Sequence, residues 1–430
     1  SATKYKDAFG FARGTDDWKA LVNDPKVDAI VIASPQSTHR EIALAAFALG
    51  KPVFCEKPLG ATLDDSIAMT DAANASGAIN MVGFNYIRTP ASQYARQLIA
   101  DGRIGDVTWF RGEHTEDFFA DPALPATWRC QGMANGTMGD LAPHMINGAR
   151  ALIGPITALC AQVETVHGKR GDADVTNDDQ AQFMCRFENG AQGHLFFSRV
   201  ATGRKMGYAY EIHGTKGSIR FDQEDQNALH LYTMDGPEAE RGFRKILTGP
   251  AHPDYLPFCQ GPGHGTGYQD QIIIEAKDFL TAIATQTNIW PTFAEGLEVN
   301  RIVTAAIDSS DKNAWVSVAD YSLKASTMIK IGNAPCSWGI EFASDPAYPT
   351  WQSVLSQCAG AGYKGIELGP IGYMPEDPAI LSDELAKNDL SIIGGVVFRP
   401  FHDAAKWDEV MDASVRTCKA LVAHGAQHLV

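Results

Sequence analysis

The sequence predicts an α/β protein in three parts: parallel βαβ units, then an α+β region on a mainly antiparallel sheet, then a second series of parallel α/β units. Three observations predict this. Short apolar runs alternate with helical patterns up to about residue 85. Strict apolar/polar alternation around Gly-containing turns replaces them, and from Met328 the first pattern returns.

"VDAIVIAS" (Val27 to Ser34) is β-branched and almost continuously apolar, the pattern of a strand buried on both faces. "THREIALAAFALG" predicts the next helix, with Thr38 and Glu41 as capping pair and Gly50 as stop. A second strand (Pro52 to Cys55), a second helix from the Thr62 and Asp65 cap to about Gly77, and a third strand, "INMVGF", continue the series. Ligands of such sheets bind beyond the carboxyl ends of the strands, where loops open and helix N-termini point. Ser34, Pro35, Glu56, Lys57, Pro58 and Asn85 stand at those ends.

From Tyr86, "QAQFMCRFENG" and "AQGHLFFSRV" alternate about Asn189-Gly190, and "YAYEIHGTKGSIRFD" does so about Gly214 to Gly217. These are hairpins with one covered face. A helix through "AEGLEVNRIVTAAIDSSDK" and a short strand, "WVSV", close the region. Residues 328–430 hold about three and a half further units. The lone G-x-G-x-x-G, Gly360 to Gly365, ends a helix and leads into a strand, the reverse of a phosphate-binding turn, so it reads as helix-capping glycines.

At 430 residues the chain exceeds one core. An excess of 51 acidic over 36 basic residues, without a basic cluster, argues against nucleic acid and anionic membranes as partners. Eight scattered cysteines without C-x-x-C spacing fit a reducing cytoplasm, and neither a signal peptide nor a bilayer-spanning run is evident. The chain opens on Ser1 in mid-pattern and stops at "AQHLV" as an apolar run begins, so both ends read as cut, and a phosphate loop is expected about one βαβ unit ahead of the first visible strand.

"GTMGDLAPHMINGARALIG" is the second constellation. Asp140 reads as an N-cap, and His144, four residues on, shares its face of the first turn. The positive end of the helix dipole disfavours imidazolium there, leaving a neutral ring able to take a proton, and a nearby carboxylate can orient it.

"SPQSTHREIALAAFALGKPVFCEKP", "MVGFNYIRTPA", "GRIGDVTWFRGEH", "GDLAPH" and "HGTKGSIRFD" together resemble the Gfo/Idh/MocA oxidoreductases over nearly all of residues 1–325. The resemblance implies a partial Rossmann domain over residues 1–85, a substrate and oligomerisation domain over 86–325, and NAD or NADP as cofactor. It implies Lys57, Asp140 and His144 as catalytic residues. Ser34, Pro35, His39, Glu56, Lys57, Pro58 and Asn85 fall on the cofactor side; Lys57, Trp128, Arg129, Asn147, His264 and Tyr268 fall on the substrate side. Many relatives carry Asp where this chain has Asn147. Oxidation of a secondary hydroxyl of a polyol, cyclitol or sugar, inositol-like, is the implied activity, in a homo-oligomer formed through the second-domain sheet. "IGNAPCSWG" and "GIELGP" are similar to the start of xylose-isomerase-like TIM barrels, implying over residues 328–430 an incomplete barrel, inactive as it stands, of a kind that when complete acts on the ketone, with Glu367, Arg399 and His402 near its site and no metal ligand assigned. The alternatives are a lyase or isomerase acting through a complete barrel, and a cofactor-sensing protein without catalysis.

Overall fold

A computed structural model describes residues 2–323, 332–426 and 428–429. Met328, where the third region was expected to start, Lys330, where its first strand was expected, and the terminal Val430 lie outside the described residues. The chain divides into two compact units, within residues 1–325 and 326–430.

In the first unit, helices α1 (Ala2–Phe9) and α2 (Trp18–Asn23) precede β1 (Ile30–Ile32); α3 (His39–Ala48), β2 (Val53–Glu56), α4 (Leu63–Ser76) and β3 (Asn80–Gly83) follow. The three strands are parallel, in order β1-β2-β3. The capping box of Thr62 and Asp65 starts α4, and Gly77 ends it at φ 66°. Thr38 does not cap α3 through its side chain; its hydroxyl donates to Pro35 O at 2.7 Å. The first strand differs from a doubly buried one, for Ile30 and Ile32 are buried while Val31 is 65% exposed. The second face of the sheet is covered at Phe54 and Met81, which pack with Phe279 and Ala282.

The same unit continues with α5 (Pro90–Ala100), β4 (Val107–Thr115), α6 (Thr137–Asp140), α7 (Ala142–Leu152) and β5 (Ile156–Glu164). A small ribbon pairs β6 (Lys169–Arg170) with β7 (Ala173–Asp174). Strands β8 (Gln180–Phe187), β9 (Gln192–Ser198), β10 (Gly207–Gly214), β11 (Gly217–Asp222), β12 (Ala228–Thr233) and β13 (Arg244–Leu247) lead to α8 (Tyr268–Thr285), α9 (Phe293–Lys312), β14 (Val316–Ser317) and α10 (Asp320–Leu323). The sheet has nine strands, ordered β13-β12-β11-β10-β4-β9-β8-β5-β14. It is mixed rather than wholly antiparallel: β4 and β9 run parallel, joined by the long crossover that a parallel pair requires. β8 and β9 turn at Gly190, with φ 87°, and Ala181, Phe183, Cys185 and Phe187 face inward in alternation.

One buried core runs from Ile32 and Val53 through Phe84 and Met145 to Phe183 and Ile212, so the two sheets share it. Helix α9 ties them closely. A Cβ on Gly296 would stand 2.9 Å from Val82 Cγ2 and 3.0 Å from Leu59 Cβ, so glycine lets the helix backbone press on the loop that carries Lys57. Among the described residues no helix is long and apolar enough to cross a membrane.

The second unit has β15 (Gly332–Asn333), α11 (Trp351–Gly360), β16 (Gly365–Glu367), α12 (Pro378–Lys387), β17 (Ser391–Gly394) and α13 (Trp407–Ala423). Its strands are parallel in order β15-β16-β17, and Leu429 adds a parallel bridge to Gly395. The glycine run after α11 does end that helix, with Gly362 at φ 90° before β16. Val354, Leu355, Cys358, Ile366, Leu381 and Ile392 form a core of its own.

Candidate active site

A cleft of about 390 Å³ opens at the carboxyl ends of β2 and β3, walled by β4, the start of α7 and the start of α8. Glu56 and Lys57 reach it from β2, Asn85 and Tyr86 from β3, His114 and Glu116 from β4. Asp140 and His144 come from the α6–α7 turn, Arg129 from the preceding loop, and Tyr268 and Glu275 from α8.

Lys57 Nζ donates to Asp140 Oδ1 at 2.6 Å and to Asp140 O at 2.8 Å. Arg129 donates to the other carboxylate oxygen, so Asp140 lies between two cations. Burial alone pushes the Asp140 carboxyl up, but Lys57 and Arg129 outweigh it and hold it below the ordinary carboxylate range. This carboxylate is neither the cap nor the orienting partner expected of it. Asp140 closes α6, Leu141 is the residue before α7, and no hydrogen bond joins Asp140 to His144.

His144 stands in the first turn of α7 and is 7% exposed. Rings orient it: Tyr86 lies 4.4 Å away between centroids, His114 5.5 Å and Phe84 6.3 Å. Its Nδ1 is enclosed without a hydrogen-bond partner, which leaves Nε2 as the nitrogen that can meet a ligand. Burial first, then Lys57 and His114, push this imidazole well below its ordinary value, so the ring is neutral.

A buried network sets the Arg129 loop. Arg199 pairs with Asp179 at 2.9 Å and donates to Arg129 O at 2.8 Å, and Asn177 donates to the same oxygen at 2.9 Å. Asp178 accepts from Met138 N at 2.7 Å at the start of α6, and burial raises its carboxyl to about 6. A Cβ on Gly136 would lie 2.0 Å from Asp178 Oδ1, so only glycine permits this approach.

Of the other residues expected at the site, Glu56, Asn85 and Tyr268 also line the cleft, Asn85 donating to Gln271 Oε1 at 3.4 Å. Ser34 and Pro35 are exposed at the end of β1, outside the cleft, and Pro58 faces a separate cavity toward α9. His39 is buried with its ring nitrogens against Ser34 O, Pro58 O and Leu59 O, so it ties two strand-end loops together instead of facing the cleft. Trp128 is exposed, with Arg129 stacked on it at 4.6 Å. Asn147 points the other way: one turn past His144 it donates to Glu295 Oε1 at 3.1 Å, beside the Arg150–Glu295 pair. His264 is exposed and outside the cleft, in the loop before α8.

Tyr86, His114, Glu116 and Glu275 are cleft residues that the sequence reading missed. His114 had a signal, because it follows Phe110 and Gly112 on the inward side of β4. Glu275 had another: a carboxyl on the stripe of α8 that also buries Gln271, Ile274 and Phe279. Glu275 is 3% exposed, its Oε1 has no partner, and burial followed by Glu56 raises its carboxyl well above the ordinary range. Glu56 is raised as well, by burial against the opposing pull of Lys57. These acceptors, with the Asn85 amide, fit the carboxamide-bearing ring of a nicotinamide nucleotide.

In the second unit, Glu367 lines a cavity of about 410 Å³ at the strand carboxyl ends, with Glu341, Phe342 and Phe398. Arg399 and His402 are not in its wall; Arg399 faces Glu409 at 3.4 Å and His402 is exposed. Among the described residues no group of three or more His, Cys, Asp or Glu side chains is placed to hold a metal ion.

A lysine at the end of a parallel strand and a buried neutral histidine in the first turn of α7 meet in one cleft, the setting of an oxidoreductase. Two family models match: an oxidoreductase family with an NAD-binding Rossmann fold over residues 1–84, and the GFO/IDH/MocA C-terminal domain over residues 92–220. The chain is 39% identical over 336 residues to a levoglucosan dehydrogenase of Pseudarthrobacter phenanthrenivorans, covering 73% of this chain and 86% of that one. It is 27% identical to an inositol 2-dehydrogenase of Rhizobium meliloti, over 68% and 81% of the two chains. A solved levoglucosan dehydrogenase in complex with NADH and levoglucosan superposes with a TM-score of 0.72 at 40% identity, covering 74% of this chain and 87% of that one. The chain belongs to the GFO/IDH/MocA oxidoreductases. It is an NAD-dependent dehydrogenase acting on CH–OH groups, of the sugar and cyclitol type.

Proposed function

We propose that the chain oxidises one secondary hydroxyl of a cyclic polyol, such as levoglucosan or an inositol, with Lys57, Asp140 and His144 as the catalytic residues. The observation that carries this reading is the meeting of Lys57 and His144 in one cleft with Asp140 fixing the lysine. Bound NAD supplies the acceptor for the hydride leaving the substrate carbon. The neutral His144 takes the hydroxyl proton at Nε2, and the Lys57 ammonium stabilises the negative charge growing on that oxygen. Asp140 holds the ammonium in place and stays ionised between Lys57 and Arg129. Glu56, Asn85 and Glu275 hold the nicotinamide side, and Tyr268 and Arg129 the substrate side.

NADH formation with levoglucosan, myo-inositol and scyllo-inositol tests the reading. Oxidation of at least one supports it; none, with NAD bound, rejects the substrate class.

Residues 328–430 form, in this reading, the first part of a barrel that acts on the ketone. Its support is the cavity containing Glu367 at the carboxyl ends of three parallel strands, where such barrels place their chemistry. A carbonyl acidifies the neighbouring C–H, so isomerisation or dehydration suits the second step. Conversion of the ketone product by a chain carrying the complete barrel, lost in Glu367→Gln while NADH formation persists, is the expected outcome; equal conversion by wild type and variant contradicts it.

A further inference from the structure

Two carboxyls wall the cleft while the cations near them are engaged elsewhere. Glu56 ends β2, and its carboxyl rests on β3: a Cβ on Gly83 would stand 3.0 Å from Glu56 Oε2. Glu275 comes from the buried stripe of α8, and its Oε1 is enclosed without a hydrogen-bond partner. Lys57 donates twice to Asp140. Arg88 pairs with Asp278 and donates to Trp290 O at 3.0 Å.

The charged groups facing Glu275 are Glu56, Arg88 from the turn after β3, and Asp278 from its own helix; those facing Glu56 are Lys57 and His39. With Arg88 and Lys57 each held by an aspartate, the two glutamates give this wall a surplus of negative charge, or of protons in its place. A buried carboxyl with an open oxygen is costly until a ligand of matching charge or hydrogen bonding arrives.

NAD and NADH carry the same phosphates, riboses and carboxamide. They differ in charge at the ring, which is cationic when oxidised and neutral when reduced. An acceptor for the carboxamide treats the two alike; a negative wall beside the ring does not.

We propose that Glu56 and Glu275 form a negative wall that selects the oxidised, cationic nicotinamide ring over the reduced, neutral one, so that NAD binds with release of a proton from these carboxyls and NADH binds without it. The proposal rests on the reading that these residues hold the nicotinamide side. Its consequence for turnover is product release, because a ring that has taken up hydride loses the charge that the wall holds.

The sign follows from linkage. Both carboxyls are raised in the folded chain, by burial first, and a cation beside them favours the ionised form. Coupling between proton and ligand is reciprocal, so NAD affinity rises with pH while NADH affinity stays nearly level.

Calorimetric titration of the full chain with NAD and with NADH, across mildly acidic to mildly alkaline pH and in buffers of different ionisation enthalpy, tests this without an activity assay. The wild type should release a proton on binding NAD and none on binding NADH. In Glu275→Gln the release should shrink, and the preference for NAD over NADH at mildly alkaline pH should fall by about tenfold, within the usual range of such couplings. Equal pH dependence of the two nucleotides in the wild type overturns the proposal. So does an equal loss of affinity for both in Glu275→Gln, the mark of a carboxamide acceptor only. Should the variant fail to fold, proton release by the wild type still decides. A chain that binds neither nucleotide overturns the proposal together with the nicotinamide reading, whereas the expected binding pattern without oxidation of any cyclic polyol upholds the wall and fails the substrate reading alone.

Discussion

Lys57 Nζ lies 2.6 Å from Oδ1 of Asp140 and 2.8 Å from the main-chain oxygen of the same residue, so the cation at the end of β2 grips the last residue of α6 twice. This contact joins the parallel sheet to the helix pair that presents His144. It also explains how a lysine stays fixed in a cleft: each orientation away from Asp140 would give up both of these hydrogen bonds.

Lys57→Met is expected to lower kcat by about two to four powers of ten, the usual scale for losing an electrostatic group at a reacting oxygen. Arg129 still pairs with Asp140 in this variant, so folding by circular dichroism should be unchanged. Turnover within a few fold of wild type would remove Lys57 from the mechanism.

Stability should fall as the medium becomes acidic, and His144 gives the sign. Its folded value is depressed below the ordinary 6.5, so its contribution is fully present above that pH and is lost as pH falls toward the folded value. Thermal melts of wild type and His144→Asn across this range should converge or cross as pH drops. Parallel curves would contradict a buried neutral ring.

Glu275→Gln should act in the opposite pH direction. A carboxyl raised in the folded state contributes fully below its unfolded value and loses that contribution as pH rises, so wild type carries the larger penalty at neutral and alkaline pH. A gain of about 1 kcal/mol, the low end for relieving an unsatisfied buried group, corresponds to an increase in Tm of about 2–4 °C. No gain at neutral pH relative to mildly acidic pH would argue that Glu275 has a partner.

Asn147→Asp separates a structural role from a substrate-binding one. The side chain faces Glu295 in the interior, so a carboxylate there meets another carboxylate and loses an amide donor. Destabilisation of about 1–3 kcal/mol with KM unchanged is expected, measured by denaturant unfolding and by kinetics. A changed KM with stability intact would return Asn147 to the cleft.

The parts of the site that could be read from sequence are those fixed by the main chain. Lys57 and Asn85 follow from where β2 and β3 end, and His144 from the first turn of α7, because strand ends and helix starts leave local marks. The partner of His144 could not be read that way. An i, i+4 spacing does not by itself make a contact, and the Asp140 carboxylate is taken instead by Lys57 and Arg129, which come from elsewhere in the sequence. His114 and Glu275 are brought in by pairing and packing of elements distant in sequence, and their only local sign was a polar residue at a position whose neighbours are buried. Asn147 shows the converse. Three residues past His144 on the same helix it belongs to the face toward α9, a direction settled by Arg150 and Glu295.

The central claim, that His144 is the proton acceptor in the oxidation of a ring hydroxyl, is tested most directly by turnover of His144→Asn with levoglucosan and the inositols, alongside its NAD affinity. The account predicts a loss of kcat of about two to four powers of ten with NAD binding unchanged. Wild-type turnover in this variant, at unchanged NAD affinity, would contradict it.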